Sequence, residues 1–376
     1  MKYQDRRISD IKIIAKTKLP RFVYQYLEGG TESEKQFERN RNALDKILFQ
    51  SRVCKNISTI NTKADIFGKT YNAPFGIAPI GLSGLIWPNS DKLLAESAKR
   101  NNIPYCLSTV STSTPEEIGQ INCEKWFQLY PPKDKEILND LLIRAKNNNF
   151  NTLVVTGDIP MPSRRESSKK EGFKTPPKLS IDLIAQSMIK PSWGLKTLLN
   201  GIPSLKTIEK YTKQNDMKFL SGFVGNRLGG TLDWNYLKEI RERWKEKIIL
   251  KGVISVDDAI SAYNLGVDGI IISNHGSRQF DGNIPTINSL EQIAPRLRDK
   301  LTIIYDSGIN SGLDIMRAIS LGAHFVLIGR PFMYGLPAIG EKGGDLIYSI
   351  LQNQLINNMA QIGVSSINEL FNTHIK

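Results

Sequence analysis

Residues 248–282 read IILKGVISVDDAISAYNLGVDGIIISNHGSRQFDG. The runs Ile248–Lys251 and Gly269–Ser273 are short and apolar on both sides of the chain, as strands buried on both faces are. Between them Asp257–Leu265 is charged and amphipathic, the pattern of a surface helix. Strand, helix and strand in this order make a parallel unit. Similar runs recur at Phe75–Ala78, Tyr105–Ser108, Trp126–Tyr130, Thr152–Thr156, Thr302–Asp306 and Phe325–Gly329, with a helix-like stretch at Asp134–Lys146 among the connections. Eight such runs predict an α/β fold, a closed (β/α)8 TIM barrel. An open doubly wound sheet would start with a glycine-rich turn after its first strand, and none is present.

The 376 residues suit one barrel domain with additions. Residues 1–70 precede the first strand as a helical segment, with FVYQYLEGG placed to cover one end of the barrel. The segment 159–234, after strand 4, is too long for an ordinary connection and is an insertion.

In this fold catalytic residues gather at the C-terminal ends of the strands. Those ends hold Pro79-Ile80-Gly81, Ser108, Gln128 with Tyr130, Thr156 with Asp158, Lys251, Ser273 with His275, Asp306-Ser307-Gly308 with Asn310, and Gly329-Arg330. Chance mixing of loop residues does not predict a Lys, a His, two Asp and an Arg at equivalent positions. Of the three histidines, His374 lies in the tail and His324 opens an apolar strand. His275 is followed by glycine and, three residues on, by Arg278, which puts a base and an anion anchor in one loop. Asp158 is on the same rim and can orient the imidazole. Arg165 and Arg278 supply two guanidinium groups for one carboxylate, and Tyr26 and Tyr130 supply phenols. The loops after strands 7 and 8 are where this fold commonly cradles a phosphate.

Three cysteines, Cys54, Cys106 and Cys123, form no paired or metal-ligand spacing. No metal is expected. The charged N-terminus lacks the apolar core of a signal peptide, and no run of 18 apolar residues occurs, so a cytoplasmic location is expected. The net charge is +13, and residues 159–234 hold 13 Lys and Arg against 6 Asp and Glu. That concentration points to a specific anionic partner. No nucleic-acid reading motif accompanies it, and no nucleic-acid partner is expected.

The motifs KLPRFVYQYLEGG, RNRNALDKILF, APIGLSG, WFQLY, VVTGDIP, LKGV, SNHGSRQFDG, YDSG and GAHFVLIGRP, in this order, resemble those of the FMN-dependent 2-hydroxy-acid oxidoreductases over nearly the whole chain. The resemblance implies oxidation of an (S)-2-hydroxy acid, L-lactate favoured, with FMN as cofactor. It implies His275 as the base, Asp158 as its partner, and Arg165, Arg278, Tyr26 and Tyr130 around the substrate. It sets Pro79, Ile80, Gly81, Ser108, Gln128, Thr156, Lys251 and Ser273 against the flavin, and Asp306 on the ribityl chain. Ser307, Gly308, Asn310, Gly329 and Arg330 fall to the phosphate site. Where many members carry an arginine in the phosphate loop, this chain has Asn310 followed by Ser311, leaving Arg330 as the expected guanidinium there.

Within the family, Gly81 (usually alanine in oxidases), the stretch IKPSWGLKTLLNGIPSL and the ending DLIYSILQNQLINNMAQIGVSSINEL resemble the membrane-associated group that passes electrons to quinone. The insertion adds apolar Ile181, Leu183, Ile184, Met188, Trp193, Leu198 and Leu199 to its positive charge. That composition suits peripheral contact with an anionic membrane surface. A mobile active-site lid is the alternative, and with it a soluble oxidase using oxygen. A mandelate dehydrogenase is also compatible. Family members are commonly homo-tetramers, and the same is expected here.

Overall fold

The computed structural model describes residues 3–166, 181–211 and 232–375. Eight parallel strands close into a barrel in chain order: β1 (Phe75–Ile77), β2 (Tyr105–Ser108), β3 (Lys125–Leu129), β4 (Thr152–Thr156), β5 (Lys247–Val253), β6 (Gly269–Ile272), β7 (Thr302–Tyr305) and β8 (Phe325–Ile328). Closure comes from β8 against β1, with Val326 opposite Phe75 and Ile328 opposite Ile77. The strands begin and end within a few residues of the expected runs. The connecting helices Lys135–Asn147 and Val256–Leu265 start on side-chain caps. Asp134 accepts from Glu136 N at 2.9 Å, and Ser255 accepts from Asp258 N at 3.0 Å.

Successive strand residues face opposite sides, and that period sorts the interior. Leu107, Phe127, Leu153, Val155, Ile248, Ile270, Ile303 and Val326 are buried in the shell between strands and helices. Cys106, Trp126, Val154, Ile249, Ile271, Ile304, Phe325 and Leu327 fill the barrel itself. Two residues further along, at the C-terminal end, the same inward parity brings Ser108, Gln128, Thr156, Lys251, Ser273 and Asp306, all polar. The opposite end is floored by a hairpin of Ala64–Ile66 and Lys69–Tyr71, whose Tyr71 ring packs 5.5 Å from Phe325. The barrel is thus dry and aromatic below, polar above.

Helices Ile8–Lys18, Arg21–Glu28 and Lys35–Asp45 open the N-terminal segment, and the rest of it up to the first barrel strand is mainly loop and short strands. Arg21–Glu28 reaches the polar end of the barrel, where Tyr26 Oη donates to Gly81 O at 2.9 Å. In the insertion, helices Ile181–Met188, Pro191–Asn200 and Lys206–Glu209 are described, and residues 167–180 and 212–231 lie outside the described residues. The apolar positions of the insertion divide. Leu183 and Trp193 are buried, Trp193 donating Nε1–H to Leu85 O at 3.1 Å and meeting the Phe22 ring edge-on at 5.8 Å. Ile184, Met188, Leu198 and Leu199 face outward, joined by Ile189, Leu195 and Ile202. The side chain of Ile181 lies outside the described residues.

Candidate active site

A cavity of about 1360 Å³ opens at the polar end of the barrel. It exceeds the roughly 300–1,000 Å³ of a typical small-molecule site, so it has room for a cofactor and a substrate together. Its wall includes Tyr26, Pro79, Ile80, Gly81, Gln128, Tyr130, Thr156, Arg165, Lys251, His275, Arg278, Asp306, Ser307, Gly308, Asn310, Gly329 and Arg330. Three other predicted residues stand behind that wall and hold it. Ser108 donates to Gln128 Oε1 at 2.9 Å, Ser273 donates to Asp306 Oδ2 at 3.0 Å, and Asp158 meets His275.

His275 Nδ1 lies 3.1 Å from Asp158 Oδ1 and 3.3 Å from Oδ2. Burial alone would raise the Asp158 pKa. The neighbouring His275, its hydrogen bond and Lys251 hold it below the ordinary carboxylate value. An ionised Asp158 only accepts, so Nδ1 carries a hydrogen toward it and Nε2 is left facing Tyr130. Tyr130 Oη is 3.4 Å from Nε2, and burial followed by Asp158 pushes the phenol pKa up, which keeps its O–H. Asp158 itself rests against Gly252. A Cβ there would come within 2.5 Å of Asp158 Cβ, and the φ of +99° at Gly252 is a left-handed backbone that suits glycine. The register shift at this point lets β5 run past Lys251 to Val253.

Lys251 is buried, with Nζ 2.7 Å from Asp306 Oδ2 and 2.6 Å from Ser273 Oγ. Burial would lower its pKa, but Asp306 and Asp158 outweigh it and the pKa is raised. A fixed ammonium therefore stands at the cavity wall.

Arg278 donates Nη1 to Leu27 O at 3.2 Å and Gly29 O at 2.9 Å, and Nη2 to Tyr26 O at 2.9 Å. Of its five N–H groups, the Nε–H and one Nη2–H remain for a ligand. Burial, then Arg165 and Arg330, push its pKa well down. Three partly buried positive groups close together would be relieved by an anion.

Arg330 is 4.9 Å over the Phe37 ring and donates Nε–H to Leu27 O at 3.0 Å, while its Nη2 is buried with no partner among the described residues. That orphaned donor, the open backbone of Gly308 at φ +87° and the start of helix Arg330–Ile339 fit an anionic phosphate. A second guanidinium, that of Arg41, also lines the cavity near this loop. Arg41 Nη1 donates to Asp314 Oδ2 at 3.0 Å, the same oxygen that accepts Asn310 N at 3.0 Å. Arg41 belongs to an N-terminal helix, 273 positions from Asp314, and no local pattern links them. Sequence reasoning also missed Asn40, which bonds Asn274 and Ser277, and the apolar wall residues Ile86, Val110 and Leu205.

The FMN-dependent dehydrogenase family model matches residues 15–376. The chain belongs to that family. This FMN-dependent dehydrogenase is 37% identical over 365 residues to an L-lactate dehydrogenase of Pseudomonas syringae pv. syringae (strain B728a), covering 96% of each chain. It is 34% identical over 365 residues to an L-lactate dehydrogenase of Caulobacter sp. (strain K31), again over 96% of each. Among solved structures it is similar to the monotopic membrane protein (S)-mandelate dehydrogenase, with TM-score 0.93, 32% identity and 98% of each chain covered. A mandelate oxidase follows at TM-score 0.84 and 27% identity, over 98% of this chain and 97% of that one. The FMN-dependent dehydrogenase is an oxidoreductase of the 2-hydroxy-acid type, its cofactor is FMN, and its fold is the expected (β/α)8 barrel. No helix among the described residues is long and apolar enough to cross a membrane.

Proposed function

We propose that the protein oxidises an (S)-2-hydroxy acid, with L-lactate favoured, to its 2-oxo acid and passes the electrons to a quinone at an anionic membrane surface. The observation that carries the reading is the His275–Asp158 pair at 3.1 Å beside a cluster of arginines in one cavity. Arg165 and the two remaining donors of Arg278 hold the substrate carboxylate. Tyr130 bonds the substrate hydroxyl, and His275 Nε2 takes the proton released as that hydroxyl becomes a carbonyl. Asp158 stabilises the imidazolium so formed. The Cα hydrogen leaves with the two electrons of its bond, and FMN, when bound, would supply the acceptor for them. Gly308, Asn310, Gly329 and Arg330 would hold its phosphate, Asp306 its ribityl chain, and Lys251 would place a positive charge beside its ring.

Anaerobic mixing with L-lactate tests the chemistry. The wild type should lose its oxidised-flavin absorbance, while His275→Asn should keep its flavin and reduce it roughly 10²–10⁴-fold more slowly. Near-normal reduction in the variant would remove His275 from the mechanism.

The quinone and membrane parts rest on the outward apolar side chains of the insertion, among them Met188, Leu198 and Leu199, 76%, 79% and 82% exposed. Basic, partly apolar helices bind anionic lipid surfaces. Peroxide production at full turnover, with no vesicle binding at low salt, would make the protein a soluble oxidase instead. A second reading, (S)-mandelate as substrate, is supported by the similarity to the mandelate dehydrogenase and by the apolar wall of Ile86, Val110 and Leu205. Comparing kcat/KM for L-lactate and L-mandelate decides between them.

A further inference from the structure

His275, Gly276 and Ser277 are three consecutive residues in the left-handed region, at φ +57°, +62° and +64°. Two of them carry a Cβ, for which this region is sparsely populated. Such a turn persists only where its surroundings over-determine it. Here the backbone N–H groups go largely to side-chain oxygens. His275 N donates to Ser273 Oγ at 3.0 Å, and Ser277 N is shared between Asn274 O at 3.1 Å and Asn274 Oδ1 at 3.3 Å. Asn274 N and Gly276 N both donate to one atom, Ser307 Oγ, at 3.3 and 3.1 Å. The two bonds bracket His275. Ser307 is buried and itself strained, at φ +90°, in the loop that runs from Asp306 to Gly308. A glycine would take that backbone at no steric cost. The serine therefore keeps an unfavourable conformation together with a hydroxyl aimed at the His275 turn.

We propose that Ser307 is a positioning residue whose hydroxyl clasps the His275 turn to the phosphate loop, so that the loop and the base hold one geometry. The inference rests on the reading of His275 as the base. Ser307 touches the base only through Asn274 and Gly276, and its effect is on orientation.

Two variants separate orientation from stability. Ser307→Gly removes hydroxyl and strain together, whereas Ser307→Ala removes the hydroxyl and keeps the strain. Thermal unfolding should place the glycine variant above the alanine variant, because both lose the hydroxyl and only the alanine keeps the strain. Both should nevertheless reduce their flavin roughly tenfold more slowly at saturating L-lactate, about the worth of one hydrogen bond. Their KM should stay within about twofold of wild type, because the carboxylate anchors are untouched. A glycine variant that reduces at the wild-type rate overturns the clasp, as does a loss of rate that follows the loss of stability. His275→Asn serves as the control. If it is inactive while both Ser307 variants are fast, the clasp alone is wrong. If it reduces at the wild-type rate, the base reading falls and takes the clasp with it.

Discussion

The polar end of the barrel and the insertion invert the usual arrangement of a globular protein, and they do so in opposite directions. At the barrel end Lys251, Asp158, Asp306 and Arg278 are held largely out of water, in hydrogen bonds of 2.6 to 3.3 Å. In the insertion Met188, Ile189, Leu195, Leu198, Leu199 and Ile202 stand in water. Buried charge and exposed apolar clusters are both informative departures. They differ in what they require. The charged cluster leaves donors of Arg278 and Arg330 without protein partners among the described residues. The apolar face has no partner within the described chain. The first is held by internal hydrogen bonds and the second is exposed, so substitutions in the two regions should have different consequences.

The largest effect should come from breaking the buried cluster. Lys251→Met leaves Asp306 and Asp158 without their cation, and removing one partner of a buried pair costs about 3–5 kcal/mol. Urea unfolding should show the loss, and adding Asp306→Asn should recover part of it. An unchanged midpoint would mean that the cluster contributes nothing to stability.

A smaller effect sharpens the contrast between the two ends of the barrel. Below the polar layer, His324 Nδ1 accepts from Ile303 N at 3.0 Å. Burial, then Arg298, lower its pKa from 6.5 to about 4. Between these values the unfolded chain binds a proton that the folded chain refuses, so stability falls as pH drops from 6.5 towards 4. Each pH unit costs about 1.4 kcal/mol, roughly 3 kcal/mol across the window. Above pH 6.5 the residue contributes no pH dependence. His324→Asn should flatten this part of the stability profile, and a variant as acid-sensitive as the wild type would contradict the assignment.

The smallest stability effect belongs to the exposed face. Leu198→Gln with Leu199→Gln should change unfolding by no more than about 0.5 kcal/mol per site. The same pair should abolish sedimentation with anionic vesicles at low salt. A large loss of stability would show that these leucines pack against the body as Trp193 does.

Much of the site was legible in the chain because strand ends are local features. A short apolar run followed by a polar residue marks a rim position, and Lys251, His275, Asp306 and Arg330 were found in that way. The period of two even explains why Ser108, Gln128, Thr156, Lys251, Ser273 and Asp306 share one layer. Arg41 and Asn40 were not legible as site residues. They lie on an N-terminal helix and meet the barrel loops through partners more than 200 positions away. The insertion was legible as basic and apolar, yet composition could not separate Trp193 and Leu183, which anchor it, from Leu198 and Leu199, which face outward.

The amino-acid sequence by itself determined the strand–helix alternation, the closed barrel, the family and the residue types on the rim, because hydrophobic period and motif spacing are properties of neighbours along the chain. Only the tertiary structure decided which hydroxyl serves which neighbour. It turned Ser307 toward the His275 turn, left Arg330 Nη2 without a partner among the described residues, and drew Arg41 to Asp314 beside the loop after β7. A hydrogen bond is formed or lost within a few tenths of an ångström, and that separation is set by packing between elements far apart in the chain.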